Sequence, residues 1–380
     1  MTQPPAPLAS TPPEPYRLTD LTENPPGLRR AVHGYSTAGT WRRLARRVAE
    51  VGWEVAAALP RDAWRRRFPG PAAILRQEAG ADPRPGARSV ALYVHYAASG
   101  RVSPMVLAQV AGLGAAGFAV VFISNAPSLP EADWQAVRGV AALVAQRRNF
   151  GLDFGAWRDL AAEAAARWPE AGELLLANDS VLGPIRPLGP LLAALRDGGP
   201  GLFGLTESIQ GGPHLQSYFL LARGAAPVAE LLGFLAAMQV SHSKWLVVQR
   251  GELRLARWMR GRGHRVAALF GYGRLVAATL ADAAERAQLA ASHPLLRDLE
   301  SLSPEARAAR LRDQPLNPAH HLWLALVRRL GFPFLKTELV RRNPGRLPGV
   351  ADWPALLPPD SPCPEAMIRE HLAILRETPR

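Results

Sequence analysis

The sequence predicts an α/β protein with a mostly parallel, Rossmann-type sheet flanked by helices. Short apolar runs alternate with helix-length segments from residue 89 to about residue 276, an order that is typical of parallel sheets. Several of these runs end in polar residues, as strands do where an α/β sheet binds its ligand. A glycine-bearing segment at 149–155 opens a helix, and the apolar run 173–177 follows it. This layout is half of a nucleotide-binding α/β unit.

The elements follow from the apolar patterns in chain order. We expect strands at 90–96, 118–124, 141–145, 173–177, 201–206, 216–222 and 264–270. We expect helices that begin near residues 103, 134, 149, 187, 227, 244 and 251. Further helices are predicted after residue 277, within 317–343 and at 365–377,.

Composition divides the chain into five parts. The first is a disordered, Pro-rich tail at 1–26, because it has too few apolar residues to bury,. A basic amphipathic helical segment and a Gly/Pro linker (77–88) fill 27–88. The compact ligand-binding domain is 89–276, and a helical part packed on it spans 277–345. A Pro-rich tail with a short helix, 346–380, follows.

The stretch 102–130 carries no charge and is long enough to span a membrane,. Glycines at 112, 114 and 117 interrupt its centre, and residues 118–124 are β-branched or aromatic. We therefore predict a buried helix, a turn and a strand rather than a transmembrane helix. The first residues also lack the basic and apolar regions of a signal peptide,.

The net charge is +13, and only Lys244 and Lys336 are lysines. The arginine excess has two interpretations: a compositional bias, or a basic surface for anionic partners. The predicted helix at 40–59 also has two interpretations. It either lies on a membrane surface or packs on the domain with a solvated basic face. The lone Cys363 rules out a disulfide within the chain, which fits a reducing compartment,.

Polar residues at helix starts and strand ends form the candidate site. Asn149, Gly151 and Asp153 precede a helix, where backbone N–H groups and the helix dipole favour a diphosphate,. The strand 173–177 ends in Asn178-Asp179-Ser180, and the carboxylate can hold a divalent metal or a ribose hydroxyl. Ordinary helix capping and turn roles are the structural alternatives.

Other strand ends add candidates. They are Tyr93 and His95, Ser124 and Asn125, Glu207 and Gln216, and Glu252 at a helix start. The chain lacks a P-loop, a GxSxG elbow and ligand spacings for zinc, and no GxGxxG fingerprint follows the strand that ends at Tyr96,. These absences exclude P-loop NTPases, dinucleotide oxidoreductases and α/β-hydrolases.

Seven ordered segments between residues 88 and 345 resemble the rhamnan synthesis F family of bacterial polysaccharide glycosyltransferases. They are LYVHYAASG from Leu92, FISN from Phe122, RNFGLDFGAW from Arg148, LLLANDSVLGP from Leu174, FGLTES from Phe203, HLQSYFLLAR from His214, and NP from Asn317 with GFPFLKTELVRRNP from Gly331.

The resemblance implies a GT-A-like fold at 89–276 and the transfer of rhamnose or a related deoxyhexose from a nucleotide-sugar donor such as dTDP-rhamnose. The acceptor would be a glycan or a lipid-linked glycan of the cell envelope. We expect a cytoplasmic protein that contacts the inner face of the membrane peripherally. No nucleic-acid partner is expected, because neither a helix-turn-helix nor a basic aromatic sheet is present,.

Under this resemblance, the residues at the helix start and strand ends bind the donor. GT-A sites usually have an Asp-x-Asp metal motif, whereas here Asn178 and Ser180 flank Asp179. Asp179 would hold Mg²⁺ or Mn²⁺ if a metal is used; otherwise arginines or Lys336 would neutralise the diphosphate. Glu252 is the first choice for the catalytic base and Glu207 the second. The alternative function is a non-catalytic glycan- or nucleotide-binding module of a polysaccharide assembly complex.

Overall fold

A ten-stranded mixed sheet forms the centre of the protein, and the α/β class predicted from the sequence is confirmed. The structure is a computed structural model that describes residues 9, 12–23, 38–68 and 72–377. The strands are β1 (Thr19–Asp20), β2 (Ile74–Ala79), β3 (Ser89–His95), β4 (Ala119–Ser124), β5 (Leu143–Arg147), β6 (Glu173–Asn178), β7 (Val181–Leu182), β8 (Gly201–Ser208), β9 (His214–Leu215), β10 (Phe219–Arg223), β11 (Val266–Phe270) and β12 (Leu335–Lys336).

Helices cover both faces of this sheet and continue beyond it toward the C-terminus. They are α1 (Ala38–Arg67), α2 (Pro104–Ala115), α3 (Glu131–Arg138), α4 (Leu152–Arg167), α5 (Gly189–Arg196), α6 (Ala225–Ala237), α7 (Lys244–Arg250), α8 (Glu252–Arg260), α9 (Tyr272–Leu280), α10 (Ala283–Ser292), α11 (Pro304–Asp313), α12 (Pro318–His321), α13 (Trp323–Arg328), α14 (Thr337–Arg342) and α15 (Glu365–Ile374). Short 3₁₀ helices lie at Pro294–Leu296, Leu299–Ser301 and Val350–Leu356.

The strand order is β1-β11-β8-β10-β6-β3-β4-β5-β2, with β9 attached to β8. The centre, from β6 through β3 and β4 to β5, is parallel, as is the β8–β11 pair. Strand β10 instead runs antiparallel to both β6 and β8. The ten residues between β8 and β10 hold only the short β9, and a parallel return needs a longer crossover,.

The central strands are apolar throughout because both faces of the sheet are covered. Side chains at alternate positions of β3 enter different cores. Tyr93 packs in the core under α2, α5 and the C-terminal helices, whereas Leu92 packs in the core under α4, α6 and α8. The uncharged stretch forms α2 and β4, so the predicted helix, turn and strand are confirmed. Within the described ranges, no helix has the length and hydropathy to cross a bilayer.

Two segments differ from the sequence prediction. Residues 12–23 lie in the range expected to be disordered, yet β1 pairs with β11, and Leu21 is buried. The other described residue of that range is 9, and the rest lies outside the described residues. The predicted linker contains the second half of β2, an edge strand antiparallel to β5. The sequence analysis did not predict this strand, because its sequence, ILRQEA, is largely polar and its residues are at most half-buried.

The C-terminal part contacts the sheet domain at several points. Strand β12 pairs with β7 in a separate two-stranded sheet, and this pairing brings Lys336 to the carboxyl end of β6. Helix α15 packs on α2, where Ser103 lies 2.8 Å from the Nδ1 atom of His371. The pairing of β12 with β7 therefore places Lys336 beside the site described next.

Candidate functional site

Asp179 lies where the neighbouring parallel strands β3 and β6 end. Its backbone N–H donates to the carbonyl of Val94 at 3.1 Å, which extends the β3–β6 ladder by one bond. Its Oδ2 atom accepts the backbone N–H of Tyr96 at 2.8 Å. The carboxylate is therefore fixed at the edge of the sheet where α/β proteins bind ligands.

Asn178 joins Asp179 to the start of α4. Its Nδ2 atom donates to Oδ2 of Asp153 at 2.8 Å, and its Oδ1 atom accepts the N–H of Ser180 at 3.1 Å. Asp153 is the second residue of α4, where a carboxylate interacts favourably with the helix dipole,. A second carboxylate thus lies beside Asp179, although it is 26 residues away in the sequence and not in an Asp-x-Asp motif.

Lys336 reaches the same point from β12. Its Nζ atom donates to Oγ of Ser180 at 2.9 Å and lies 4.6 Å from the ring centre of Tyr218. The ammonium therefore has a fixed position on an aromatic face, next to the strand end that carries Asp179.

Glu252 begins α8, and β9 and the β9–β10 loop hold its carboxylate. Oε2 accepts the hydroxyl of Ser217 at 2.5 Å and the N–H of Ser217 at 3.2 Å. The Nε2 atom of His214 lies 3.4 Å from Oε1. Burial raises the pKa of Glu252, but His214 and Ser217 outweigh it and the net direction is downward. Glu252 is therefore an ionised carboxylate at neutral pH.

We define the carboxylate–lysine cluster as Asp153, Asp179, Glu252 and Lys336. Burial, and then the negative charge of Asp153, raise the pKa of Asp179 to about 8. Burial also raises the pKa of Asp153 to about 6, against the pull of Lys336. Burial lowers the pKa of Lys336 to about 8, although the carboxylates oppose this. Pairs of buried groups with pKa values displaced toward neutrality are typical of functional sites.

Lys244 and His320 lie close enough to act on this cluster, and the sequence reasoning missed both as site residues. The positive charge of Lys244 lowers the pKa values of Asp153 and of Lys336. Burial, and then the charge of Lys336, lower the pKa of His320 to about 4. Both lysines of the chain therefore act on one site, while the remaining basic side chains are arginines. The rarity of lysine was the sequence signal that could have found Lys244.

The loop before α4 needs glycine at two positions. Gly151 has φ 78°, and a Cβ there would lie 2.6 Å from Cβ of Val240. A Cβ on Gly155 would lie 2.1 Å from the carbonyl oxygen of Phe150. The close neighbours of both glycines are protein atoms, and the predicted approach of a ligand to this segment stays a prediction. Asn149 is exposed at the start of this loop.

Arg147, which the sequence reasoning passed over, holds the loop from beneath. Its buried guanidinium donates to Asp159 at 2.7 Å, to the carbonyl of Phe150 at 2.8 Å and to Oδ1 of Asn125 at 2.8 Å. Asn125 in turn donates to the carbonyl of Leu152 at 3.4 Å. Asn125 therefore supports the loop from the interior. The apolar strand 143–147 that ends in a charged residue was the available signal.

Four other predicted donor-binding residues also have buried side chains. Tyr93 donates to Gln109, and Nδ1 of His95 lies 3.2 Å from Oγ of Ser124. Burial lowers the pKa of His95 to about 3. Gln216 accepts the hydroxyl of Thr206 at 2.8 Å and is 8% exposed. These side chains do not reach the surface of the cleft, which differs from the direct donor contacts predicted.

Glu207 has a structural position. Its Oε1 accepts the N–H of Thr22 at 2.6 Å, and its Oε2 accepts the N–H of Tyr272 at 2.8 Å. The side chain is 1% exposed. Because both oxygens accept backbone donors that tie the N-terminal strand and α9 to β8, the structure favours Glu252 over Glu207 as a base.

Among the described residues, no group of three or more His, Cys, Asp or Glu side chains has the arrangement of a metal site. Asp153 and Asp179 are the pair that could hold a divalent cation together with ligand oxygens and water. The raised pKa of Asp179 indicates that its ionised form lacks sufficient positive charge nearby. A cation there would supply that charge, and the oxygen donors suit Mg²⁺ or Mn²⁺.

Comparison with known proteins matches a part of the chain that contains three of the four cluster residues. Residues 120–287 match the family model of rhamnan synthesis protein F. The resemblance read from the motifs is confirmed over this range. The matched range includes Asp153, Asp179 and Glu252; Lys336 and α1 lie outside it.

Two relatives extend the comparison. Over 210 residues the chain is 30% identical to virulence protein VirA of Vibrio anguillarum, an alignment that covers 53% of this chain and 64% of VirA. Over 192 residues it is 26% identical to uncharacterized protein y4gN of Sinorhizobium fredii, covering 49% of this chain and 50% of y4gN. The matched part therefore spans less than two thirds of either relative.

Proposed function

We propose that the protein is a glycosyltransferase that moves rhamnose or a related deoxyhexose from a nucleotide-sugar donor to a glycan of the cell envelope. The observation that carries this proposal is the carboxylate–lysine cluster at the carboxyl edge of the sheet, in a chain whose residues 120–287 match a rhamnan synthesis family. The sheet and its ligand edge also support a GT-A-like assignment, which is part of the proposal.

The donor diphosphate would lie against the start of α4 and the end of β6. The N-terminus of α4 presents free backbone N–H groups there. Lys336, with Lys244 near it, supplies positive charge for the departing diphosphate,. A divalent cation between Asp153 and Asp179 would add charge to the same oxygens. In this arrangement Ser180 positions Lys336 by accepting a hydrogen bond from its ammonium.

The proposed chemistry is a single displacement at the anomeric carbon. The acceptor oxygen forms its bond to that carbon while the bond from the carbon to the diphosphate oxygen breaks, and the electron pair leaves with the diphosphate. Glu252 takes the acceptor's hydroxyl proton, since it is kept ionised by Ser217 and His214,. Lys336 stabilises the charge that develops on the diphosphate.

The alternative is a non-catalytic glycan- or nucleotide-binding module. Among the described residues, no group of three or more His, Cys, Asp or Glu side chains could hold a metal ion, and this favours the alternative. It predicts donor binding without turnover, even with acceptor present.

Two measurements on one protein preparation test the proposal. A thermal-shift screen of nucleotide sugars, with and without Mn²⁺, identifies the donor, because a ligand of the native state raises Tm. Transfer to glycan acceptors and hydrolysis of that donor are then measured for Glu252→Gln and for Lys336→Met. We expect Glu252→Gln to bind donor while transfer falls about 10²-fold or more. Lys336→Met should weaken donor binding itself.

Glu370→Gln is the matched control, because Glu370 is an exposed acid on α15. Wild-type protein that binds a donor and neither transfers nor hydrolyses it supports the module. Full transfer activity in Glu252→Gln would refute the assignment of the base.

A further inference from the structure

Helix α1 has an outward face that is apolar. The stripe Ala49, Trp53, Ala56, Pro60 and Trp64 recurs at the spacing of one helix face,. Between Glu50 and Arg61 the sequence, VGWEVAAALP, contains one charged residue, and that residue points inward, as shown next. The most exposed large apolar side chains of α1 and the residue after it are Val48 (63%), Trp53 (78%), Leu59 (45%), Trp64 (67%) and Phe68 (50%).

The inward face of α1 carries the buried Ala58 and two acidic side chains that accept hydrogen bonds from residues 241–243. Glu54 accepts the hydroxyl of Ser243 at 2.7 Å. Asp62, which is 2% exposed, accepts the hydroxyl of Ser241 at 2.5 Å, and its Oδ1 lies 2.7 Å from Nδ1 of His242. These contacts fix the rotation of α1, so the apolar stripe faces outward.

A groove of about 690 Å³ lies at the C-terminal end of α1, which is the size of a ligand site,. Its lining combines aromatic and basic side chains: Pro60, Arg61, Trp64, Arg65, Phe68, Arg148 and His242. The guanidinium of Arg65 lies 4.2 Å from the ring centre of Phe150. Within the ranges that the structure describes, Arg61, Arg65 and Arg148 form no ion pair with a carboxylate.

The groove adjoins the loop before α4. Arg148 precedes Asn149 in that loop, and Phe150 packs against His242 with ring centres 4.5 Å apart. Because Nδ1 of His242 is engaged by Asp62, Nε2 is the nitrogen left for a ligand. A phosphate in the groove would thus meet arginine and imidazole donors, while an attached lipid chain would continue along the exposed aromatic side chains.

We infer that α1 docks the protein on an anionic bilayer and that the groove at its end binds the phosphate of a membrane lipid. Charge favours lipid over a second copy of the chain. Eight arginines and three acidic residues lie in α1, so two such helices repel each other, whereas an anionic surface attracts both. If the proposed transferase function holds, on which this last step rests, the lipid is the phosphate-linked carrier of the acceptor glycan.

Vesicle flotation tests the docking. Wild-type protein should bind vesicles of phosphatidylcholine with phosphatidylglycerol, bind pure phosphatidylcholine far less, and dissociate as salt rises. Trp53→Ser should lower the partition coefficient about tenfold, because Trp53 anchors in the interface. Leu75→Ser is the matched control, since Leu75 is an exposed apolar residue on β2 and should bind as wild type does. Equal binding of Trp53→Ser and wild type would overturn the inference.

The groove is tested with Arg61→Gln and Arg148→Gln, each of which should weaken binding to anionic vesicles about fivefold. Arg260→Gln, an exposed arginine of α8, is the control. Titration with inorganic pyrophosphate separates the sources of phosphate. If Arg148→Gln loses pyrophosphate binding but keeps vesicle binding, the groove serves a soluble anion and the inference fails.

Two further readouts separate this inference from the proposed function. Donor hydrolysis without vesicles should be the same in Trp53→Ser and wild type, because Trp53 lies outside the carboxylate–lysine cluster. A protein that binds vesicles but turns over no donor would refute the proposed transferase activity. The inference that α1 docks on a bilayer would still stand. A concentration-dependent dimer that Trp53→Ser abolishes would assign the outward face to a second copy and refute the docking.

Discussion

The substitution Asp179→Asn should stabilise the ligand-free protein at high pH while removing its ligand binding. Burial and the charge of Asp153 raise the pKa of Asp179 from its ordinary value of 3.8 to about 8. The folded state therefore holds a proton that the unfolded state releases between about pH 4 and pH 8. Wild-type stability falls as pH rises through that window, because the folded state binds more protons. The asparagine side chain cannot ionise, so the variant lacks this loss.

The magnitude follows from the pKa values. Each pKa unit is worth about 1.4 kcal/mol, so a rise from 3.8 to about 8 sets an upper limit of about 6 kcal/mol,. Solvent screening lowers this limit, since the side chain of Asp179 is only partly buried,. We expect Asp179→Asn to be about 2 kcal/mol more stable than wild type at pH 8 and equal to it at pH 4.

Denaturant unfolding at both pH values measures this difference. Asp313→Asn, at an exposed acid of α11, is the charge-matched control and should follow wild type throughout. In the same samples, donor with Mn²⁺ should raise Tm for wild type and leave Asp179→Asn unchanged. A variant that is less stable than wild type at pH 8, or that still gains stability from donor, would refute the placement of Asp179 in a charged ligand site.

Two further substitutions test the start of α4, which carries Asp153. Gly155→Ala places a Cβ 2.1 Å from the carbonyl oxygen of Phe150, so we expect a loss of about 2 kcal/mol and weaker donor binding. Gly233→Ala meets nothing within 4 Å in α6 and should be neutral or slightly stabilising in the same unfolding assay. Arg147→Met removes the buried guanidinium that donates to Asp159, Phe150 and Asn125, while Arg158 still pairs with Asp159 at 2.6 Å, and should cost about 2 kcal/mol,. An Arg147→Met protein of wild-type stability would contradict the conclusion that Arg147 holds the loop before α4 in place.

The sequence predicted the parts of the fold that local pattern controls. Strands buried on both faces, such as β3 and β4, are continuous apolar runs, and their bounds agree with the prediction within about one residue. Edge strands were missed, because β2 is polar on its exposed side and β1 contains only two residues. Their pairing depends on distant partners, β5 and β11, which no local pattern reveals.

Several site residues predicted from strand ends alone have buried side chains. A polar residue at a strand end can point into the sheet's packing layers, as His95 and Ser124 do toward each other. The residues that face the cleft come one or two positions later, as Asp179 does after β6. Which side chains line the cleft depends on the exit angle of each loop. That angle is set by packing and by contacts such as the hydrogen bond from Arg147 to the carbonyl of Phe150, rather than by residue type.

The two lysines show how composition can carry site information. Arginine is the basic residue at nearly every cationic position of this chain. A lysine therefore indicates a position where the larger guanidinium does not fit the function. At Lys336 the ammonium fits between Ser180 and the ring of Tyr218, and burial moves its pKa to about 8. A guanidinium is larger and keeps its charge. Under the proposed function, the compact lysine can release or hold a proton as a diphosphate binds, so the charge of the cluster can adjust within the neutral pH range.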